Sequence, residues 1–369
     1  MIYEEIKSLP MIDAHCHLFA TEPNEADLGQ ILCMSLFDMP EDQTKEIMSY
    51  KRWQNLLKQF TGAEYEIKNS KQAMEASDCK RYSDYIAKLF KSVNLQRLVI
   101  DLGYAPAKVD LKEFESYLPA NVSYCYRIET FLDPAWKKKP AFDQLVEEFE
   151  AALNENLGKE NIVAIKSIIG YRTGLEIEWL DKDEARKRYN SGDEKGFRDY
   201  CLRLTADLTG KYGKVLKIHT GVGESNLNIL KNNPLLLKEF LKHYQEPPDL
   251  KILLVHGGYP YTYEAGNMAG TFPNVWVDLS CWSSWFCLGM GRELNRIMQT
   301  APVNKIVYGS DGYIVPELHW FGAKSMKIEM GEFLDSLIKK GFLNHKEAVE
   351  LAQNIFSENA KRLYALQLF

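Results

Sequence analysis

Residues 9–19 read LPMIDAHCHLF, and the way this stretch is read decides the fold. In a helix, His15 and His17 would project to opposite sides. In a strand they share a face, because side chains alternate with a period of two. The short apolar run ahead of them fits the strand. Two imidazoles then point the same way, like the prongs of a clamp, and they need partners from elsewhere in the chain.

Seven further short apolar runs follow: LQRLVIDLG (95–103), NVSYCYRIET (121–130), NIVAIKSIIG (161–170), KVLKIHTG (214–221), LKILLVHGG (250–258), NVWVDLS (274–280) and NKIVYGSDG (304–312). Helix-like patterns lie between them, among them residues 142–158, 196–213, 233–245 and 291–300. Strands that alternate with helices imply parallel pairing through crossovers, and eight such units predict an α/β fold, a (β/α)8 TIM barrel. One connection is long. Residues 18–93 look helical and charged, and as a helical insertion after strand one they would lie over the C-terminal face, where a barrel keeps its active site. Residues 345–366 read as closing helices. The sequence reads as a single domain over residues 1–369.

Composition narrows the function classes. The 369 residues are 46% hydrophobic, enough for a sizeable core, and carry a formal net charge of −6. That balance, without a basic stretch, argues against nucleic acid as a partner. No apolar run reaches the roughly 20 residues needed to span a bilayer. The opening MIYEEIK has no signal-peptide pattern. Seven scattered cysteines without a CxxC pair read as reduced thiols, hence a cytoplasmic protein. A homo-oligomer is left open.

Strand parity says more. With apolar side chains turned outward to the helices, Asp101, Cys125, Arg127, Glu129, Lys166, Lys217, His219, His256, Asp278 and Asp311 point into the barrel, most of them near strand ends. Asp13 is counted with them. Buried charges persist when paired or bound to metal. Five interior acids (Asp13, Asp101, Glu129, Asp278, Asp311) against three bases (Arg127, Lys166, Lys217) leave two negative charges uncompensated, which one divalent cation would balance.

The H-x-H of strand one, the histidines ending KIHTG and LLVHGG, and the aspartate of YGSDG together resemble the amidohydrolase superfamily. These are metal-dependent hydrolases on a (β/α)8 barrel. Within it the chain resembles the branch that includes aminocarboxymuconate-semialdehyde decarboxylase. Residues 165–175, 219–237, 259–266 and 309–323 are similar to the amidohydrolase domain fused to a glutamine-synthetase-like domain in some fungal and plant proteins; this chain would be the stand-alone version. The resemblance implies that His15, His17, His219 and Asp311 ligate one divalent metal, with His256 either a ligand of a second ion or a base that polarises the substrate. Zn suits the donors, with Mn, Fe or Ni as alternatives. Lys166 matches a lysine that some binuclear members carry as a metal-bridging carbamate. Carbamylation would leave a charge that two cations balance, so charge counting does not choose between one ion and two. Asp311 would take a proton from metal-activated water and pass it to the leaving group.

The remaining residues have plainer alternatives. Arg127 either pairs internally with Glu129 or Asp101 or grips a substrate carboxylate. Tyr171 and Arg172, after strand four, are candidate substrate contacts, as is His319. Lys217 reads as a structural ion-pair partner, and His243 and His345 as surface residues. The CWSSWF run (281–286) would lid the pocket. The implied reaction is hydrolysis of an amide-type C–N bond in a small anionic molecule, with a γ-glutamyl amide as the leading substrate. The alternative is a metal-dependent non-oxidative decarboxylase. A catalytically silent barrel would show a broken ligand set, and here every expected ligand is present.

Overall fold

Eight strands pair in parallel, each with its neighbour in sequence: β1 (Met11–Cys16), β2 (Leu95–Asp101), β3 (Asn121–Arg127), β4 (Ile162–Ser167), β5 (Val215–His219), β6 (Lys251–Val255), β7 (Val275–Asp278) and β8 (Ile306–Val307). The computed structural model describes residues 1–105, 109–245 and 250–366. The sheet closes on itself: Ala14 N–H donates to the Tyr308 carbonyl at 2.9 Å, Asp311 N–H to that of His15 at 2.9 Å, and His17 N–H to that of Gly312 at 2.7 Å. All eight predicted strands are found, and the fold is the expected (β/α)8 barrel.

Alternation along the strands builds two apolar layers. Ile165, Leu216, Ile218, Ile252 and Leu254 face out and pack against helices such as Phe142–Leu157 and Glu194–Lys211. Inside, Ile12, Ala14, Val99, Cys125, Ala164, Val215, Leu253 and Val307 fill the narrow lumen. Ala360, Leu363 and Tyr364, from the helix Asn359–Tyr364, plug the lower end of the barrel. The Tyr364 hydroxyl donates to the Ala14 carbonyl at 2.9 Å. Above this apolar floor the same inward positions carry Asp101, Arg127, Lys166 and Lys217, so the polar layer lies at the C-terminal ends of the strands.

The segment after β1 is helical, as expected, with helices at Leu28–Ile31, Glu41–Thr44, Met48–Thr61 and Ser70–Ala76 before Tyr82–Ser92 leads into β2. Trp53 stacks on Phe321 with ring centroids 5.3 Å apart, and Ser70 Oγ donates to Glu317 at 2.7 Å. Both contacts tie the insertion to the long helix Pro316–Lys339 after β8. Among the described residues no helix is long and apolar enough to cross a membrane, and all seven cysteines are free.

Strict parity fails at two places. The pairing of β1 with β2 shifts register between Asp13 and Cys16, an irregularity of the kind that re-aims side chains beside active sites. Ile12 and Ala14 face the lumen, yet His15 also points inward, where its ring meets Lys166 and Lys217. Asp13 therefore faces the outer layer, contrary to expectation. It accepts from Ser310 N–H at 2.9 Å and lies 3.7 Å from His319 Nδ1. Asp13 thus drops out of the interior tally. At β6, Leu253 faces the lumen, so alternation alone would turn His256 outward. His256 instead adopts a left-handed backbone, φ +67°, which brings its ring inside.

Candidate active site

A cavity of about 480 Å³ opens at the C-terminal ends of the strands, within the range of small-molecule sites. Its walls include His15, His17, Arg127, Lys166, Tyr171, Arg172, His219, His256 and Asp311. The expected ligand set and three of the four expected substrate contacts thus share one chamber. Gln30 and residues 33–36 of the insertion form part of its rim.

At its centre Asp311 Oδ1 lies 3.4 Å from His15 Nε2 and 3.3 Å from His17 Nε2. Four ligands at the roughly 2.0–2.1 Å typical of zinc stand about 3.3–3.4 Å from one another around a tetrahedron. The spacing therefore fits atoms that share an ion. Buried polar atoms agree: Asp311 Oδ1 and His219 Nε2 form no hydrogen bond within the protein, a costly arrangement unless something else engages them. Two overlapping sets of donors lie within 4.8 Å of one another, His15, His256 and Asp311, and His15, His17 and Asp101. Asp101 in the second set goes beyond the sequence reading, and the expected ligand His219 falls in neither set. His219 Nδ1 sits 3.1 Å from His256 Nε2.

Electrostatics favour the ligating forms. Burial, reinforced by the Lys166 and Lys217 charges, holds the His15 pKa well below its usual value. Burial and the neighbouring His256 do the same for His219, and burial lowers His256. Burial alone would raise the Asp311 carboxyl, but His256 and His17 hold it below the usual carboxylate range. Lys166 Nζ lies 3.3 Å from His15 Nε2, and burial lowers its pKa to about 8.

Loops beyond the strands fix these groups. His256 N–H donates to Asp278 at 2.8 Å, and Ser280 Oγ meets His256 Nδ1 at 2.9 Å. Trp282 Nε1 donates to the His256 carbonyl at 2.9 Å. Trp282 is thus a buried prop beneath the site, while Trp285 of the same CWSSWF run lines the cavity.

The remaining side chains divide between expected and unexpected partners. Lys217 has no carboxylate partner among the described residues; it donates to the Ala14 carbonyl at 2.8 Å and meets His15 Nδ1 at 2.9 Å. Arg127 clasps Asp101, with Nη2 2.6 Å from Oδ2. A Cβ on Gly103 would fall 2.2 Å from Arg127, so this close pairing needs glycine there. Arg172 clasps Asp133 at 2.6 Å. His319, expected at the substrate, is 0% exposed and packs on Phe19 and Phe90 behind β1; it does not line the cavity. Tyr171 packs on His219, ring centroids 4.7 Å apart. His243 stacks on Trp179 at 3.7 Å, and His345 is exposed beside Glu5.

Sequence reasoning missed Glu224, Tyr104 and Tyr313 and reached Cys281 only as part of the CWSSWF run; all four are on the cavity wall. They sit on loops, where no alternation tells which side chains face inward. Their closeness to the strand ends was the one available signal.

A family model described as amidohydrolase matches residues 176–366. Protein fluG of Emericella nidulans is 26% identical over 238 residues, 59% of this chain and 27% of that protein. The chain therefore spans about a quarter of the length of the curated relative it matches. Among solved structures, a protein of Lactobacillus casei ATCC 334 described as a metal-dependent hydrolase is 26% identical, with a TM-score of 0.87 over 100% of this chain and 99% of that one. A glucuronate isomerase from Caulobacter crescentus shares the fold at 18% identity and a TM-score of 0.71, over 100% of this chain and 94% of that one.

Proposed function

The chain belongs to the amidohydrolase family, and from that premise we propose that it is a metal-dependent hydrolase cleaving an amide-type C–N bond in a small substrate. One observation carries the reading: Asp311 Oδ1 meets His15 and His17 at the spacing of shared metal ligands, 3.4 and 3.3 Å, inside the cavity. The likeness to the Lactobacillus protein, described as a metal-dependent hydrolase, supports it.

In this reading His15, His17, His219 and Asp311 hold a divalent ion, with zinc the best match to nitrogen and carboxylate donors. When bound, such an ion lowers the pKa of water and polarises a carbonyl. The Asp311 carboxylate would take the proton of the attacking water and return it to the leaving nitrogen. His256 polarises the scissile carbonyl or joins a second ion with a carbamylated Lys166. A γ-glutamyl amide remains the leading substrate.

The test is metal content together with product analysis. Zinc-loaded protein is expected to release amine from γ-glutamyl amides. His15→Ala and Asp311→Asn should lose the metal and at least about a hundredfold in rate, more than outer-shell changes cause, while their far-UV circular dichroism stays that of the folded barrel. CO2 released from aromatic carboxylates, with no amine from any amide, would replace this reading by decarboxylation. Full metal retention in both variants would overturn the ligand assignment.

A further inference from the structure

Charges around the cavity are unequally matched. Both arginines on its wall are already held by protein carboxylates, Arg127 by Asp101 and Arg172 by Asp133, each through Nε and Nη2. Glu224, on the loop after β5, lines the same cavity. Its hydrogen-bond partner is the Tyr171 hydroxyl, which donates to Oε2. Among the described residues no lysine, arginine or histidine forms a salt bridge with it. The surplus side-chain charge on this part of the wall is therefore negative.

The position of Glu224 is built into the loop. Tyr171 lies between Glu224 and His219, touching both. A Cβ on Gly223 would fall 2.1 Å from the Tyr171 oxygen, so the loop approaches this closely only because glycine is there. Tyr104 and Tyr313 line the same cavity. Tyr104 and Tyr313 meet edge to face, centroids 5.7 Å apart, and Tyr104 sits 5.8 Å from the His17 ring. A carboxylate that shares a cavity with electron-rich rings is the environment that attracts an alkylammonium, through charge and through the ring faces.

We infer that Glu224 receives a protonated amine of the substrate, so that the natural substrate carries a free ammonium group apart from the bond that is cleaved. The inference rests on reading the cavity as a substrate site beside the metal ligands, and it sharpens the substrate class. Amides with a free α-amino group, γ-glutamyl amides among them, meet the requirement. N-acyl amino acids and aromatic carboxylates do not. It also reassigns the charge recognition expected of Arg127 and Arg172, whose guanidinium groups are already engaged.

The experiment is binding calorimetry on zinc-loaded wild-type protein and E224Q, which needs no turnover. The ligands are matched pairs with and without the amine: L-glutamate and glutarate, L-aspartate and succinate, 5-aminovaleramide and valeramide. Wild type is expected to prefer the amine-bearing member of at least one pair. E224Q should weaken that ligand about tenfold or more, the worth of one charge-assisted contact, and leave its amine-free partner unchanged. Equal binding within every pair, no binding of any amine-bearing ligand, or equal weakening of both members in E224Q would overturn the inference. Absence of amide hydrolysis would count against the proposed reaction and leave this comparison intact.

Discussion

Cys281 Sγ lies 3.1 Å from Asp311 Oδ2. The thiol holds one carboxylate oxygen, so the other, Oδ1, is left turned toward His15 and His17. The same sulfur is 3.3 Å from His256 Nδ1. All three residues have left-handed backbones, with φ of +67° at His256, +70° at Cys281 and +56° at Asp311. Such conformations cost on the order of 1–3 kcal/mol each in non-glycine residues and persist where surrounding contacts outweigh them, commonly at functional sites. Three strained chain segments, at the ends of β6, β7 and β8, meet around one thiol.

Cys281→Ser should keep the donor to Asp311 and retain most metal affinity and activity. Cys281→Ala removes it, frees the carboxylate to rotate, and should lower metal affinity or activity about 10–100-fold, the usual effect of losing a partner of a metal ligand. Competition with a chelator of known affinity, followed by metal analysis, measures this. Equal losses in the serine and alanine variants would show that volume, and not the hydrogen bond, is what matters.

Lys166 is expected to carry a carbamate: its neutral amine adds to CO2, forming an N–C bond and releasing a proton. Unmodified, it would set an ammonium 3.3 Å from His15 Nε2, opposing any cation bound there. Its pKa of about 8 keeps a useful fraction of neutral amine near neutral pH. In ¹³C-bicarbonate, zinc-loaded wild type should show a carbamate carbon signal that is absent from Lys166→Met. With no such signal, Lys166 would be assigned to binding a substrate carboxylate.

Asp199 gives a pH dependence remote from the site. Burial raises its pKa to about 6 even though Lys195 partners it. Because the folded value lies above the unfolded one, its contribution is complete below about pH 4 and is lost as pH rises through 6. Two pKa units correspond to at most about 3 kcal/mol. Asp199→Asn removes this titration, so its stability relative to wild type should rise between pH 4 and 7 in urea unfolding. A constant difference across that range would show that Asp199 titrates normally.

The barrel was legible because each strand is a short apolar run with a chemically distinctive end. His219 and Asp311 could be placed by alternation from the interior positions Val215 and Val307. His15 and His256 also reach the interior, but through a register shift and a left-handed turn that alternation does not encode. The same shift hid Asp13, which belongs to the outer layer, and its neighbour His319 was taken for a substrate contact because it follows β8 closely. Arg127 could be traced to the interior, but the choice between Asp101 and a ligand needed the distances. Cys281 and Glu224 were out of reach, since a loop residue's direction depends on backbone torsions and on packing such as that of Gly223 against Tyr171.

The hydrogen bond from Tyr364 to the Ala14 carbonyl joins residues 350 positions apart, and it belongs to the plug that fills the lower lumen. Ile12, Ala14 and Val99 reach their final packing when Ala360, Leu363 and Tyr364 arrive. During synthesis all eight strands emerge before the side chains that seal the barrel beneath them. Loop-closure entropy for so distant a contact must be met before its packing is gained. Until those side chains arrive the base of the barrel is apolar and open, the kind of transiently exposed surface that favours aggregation.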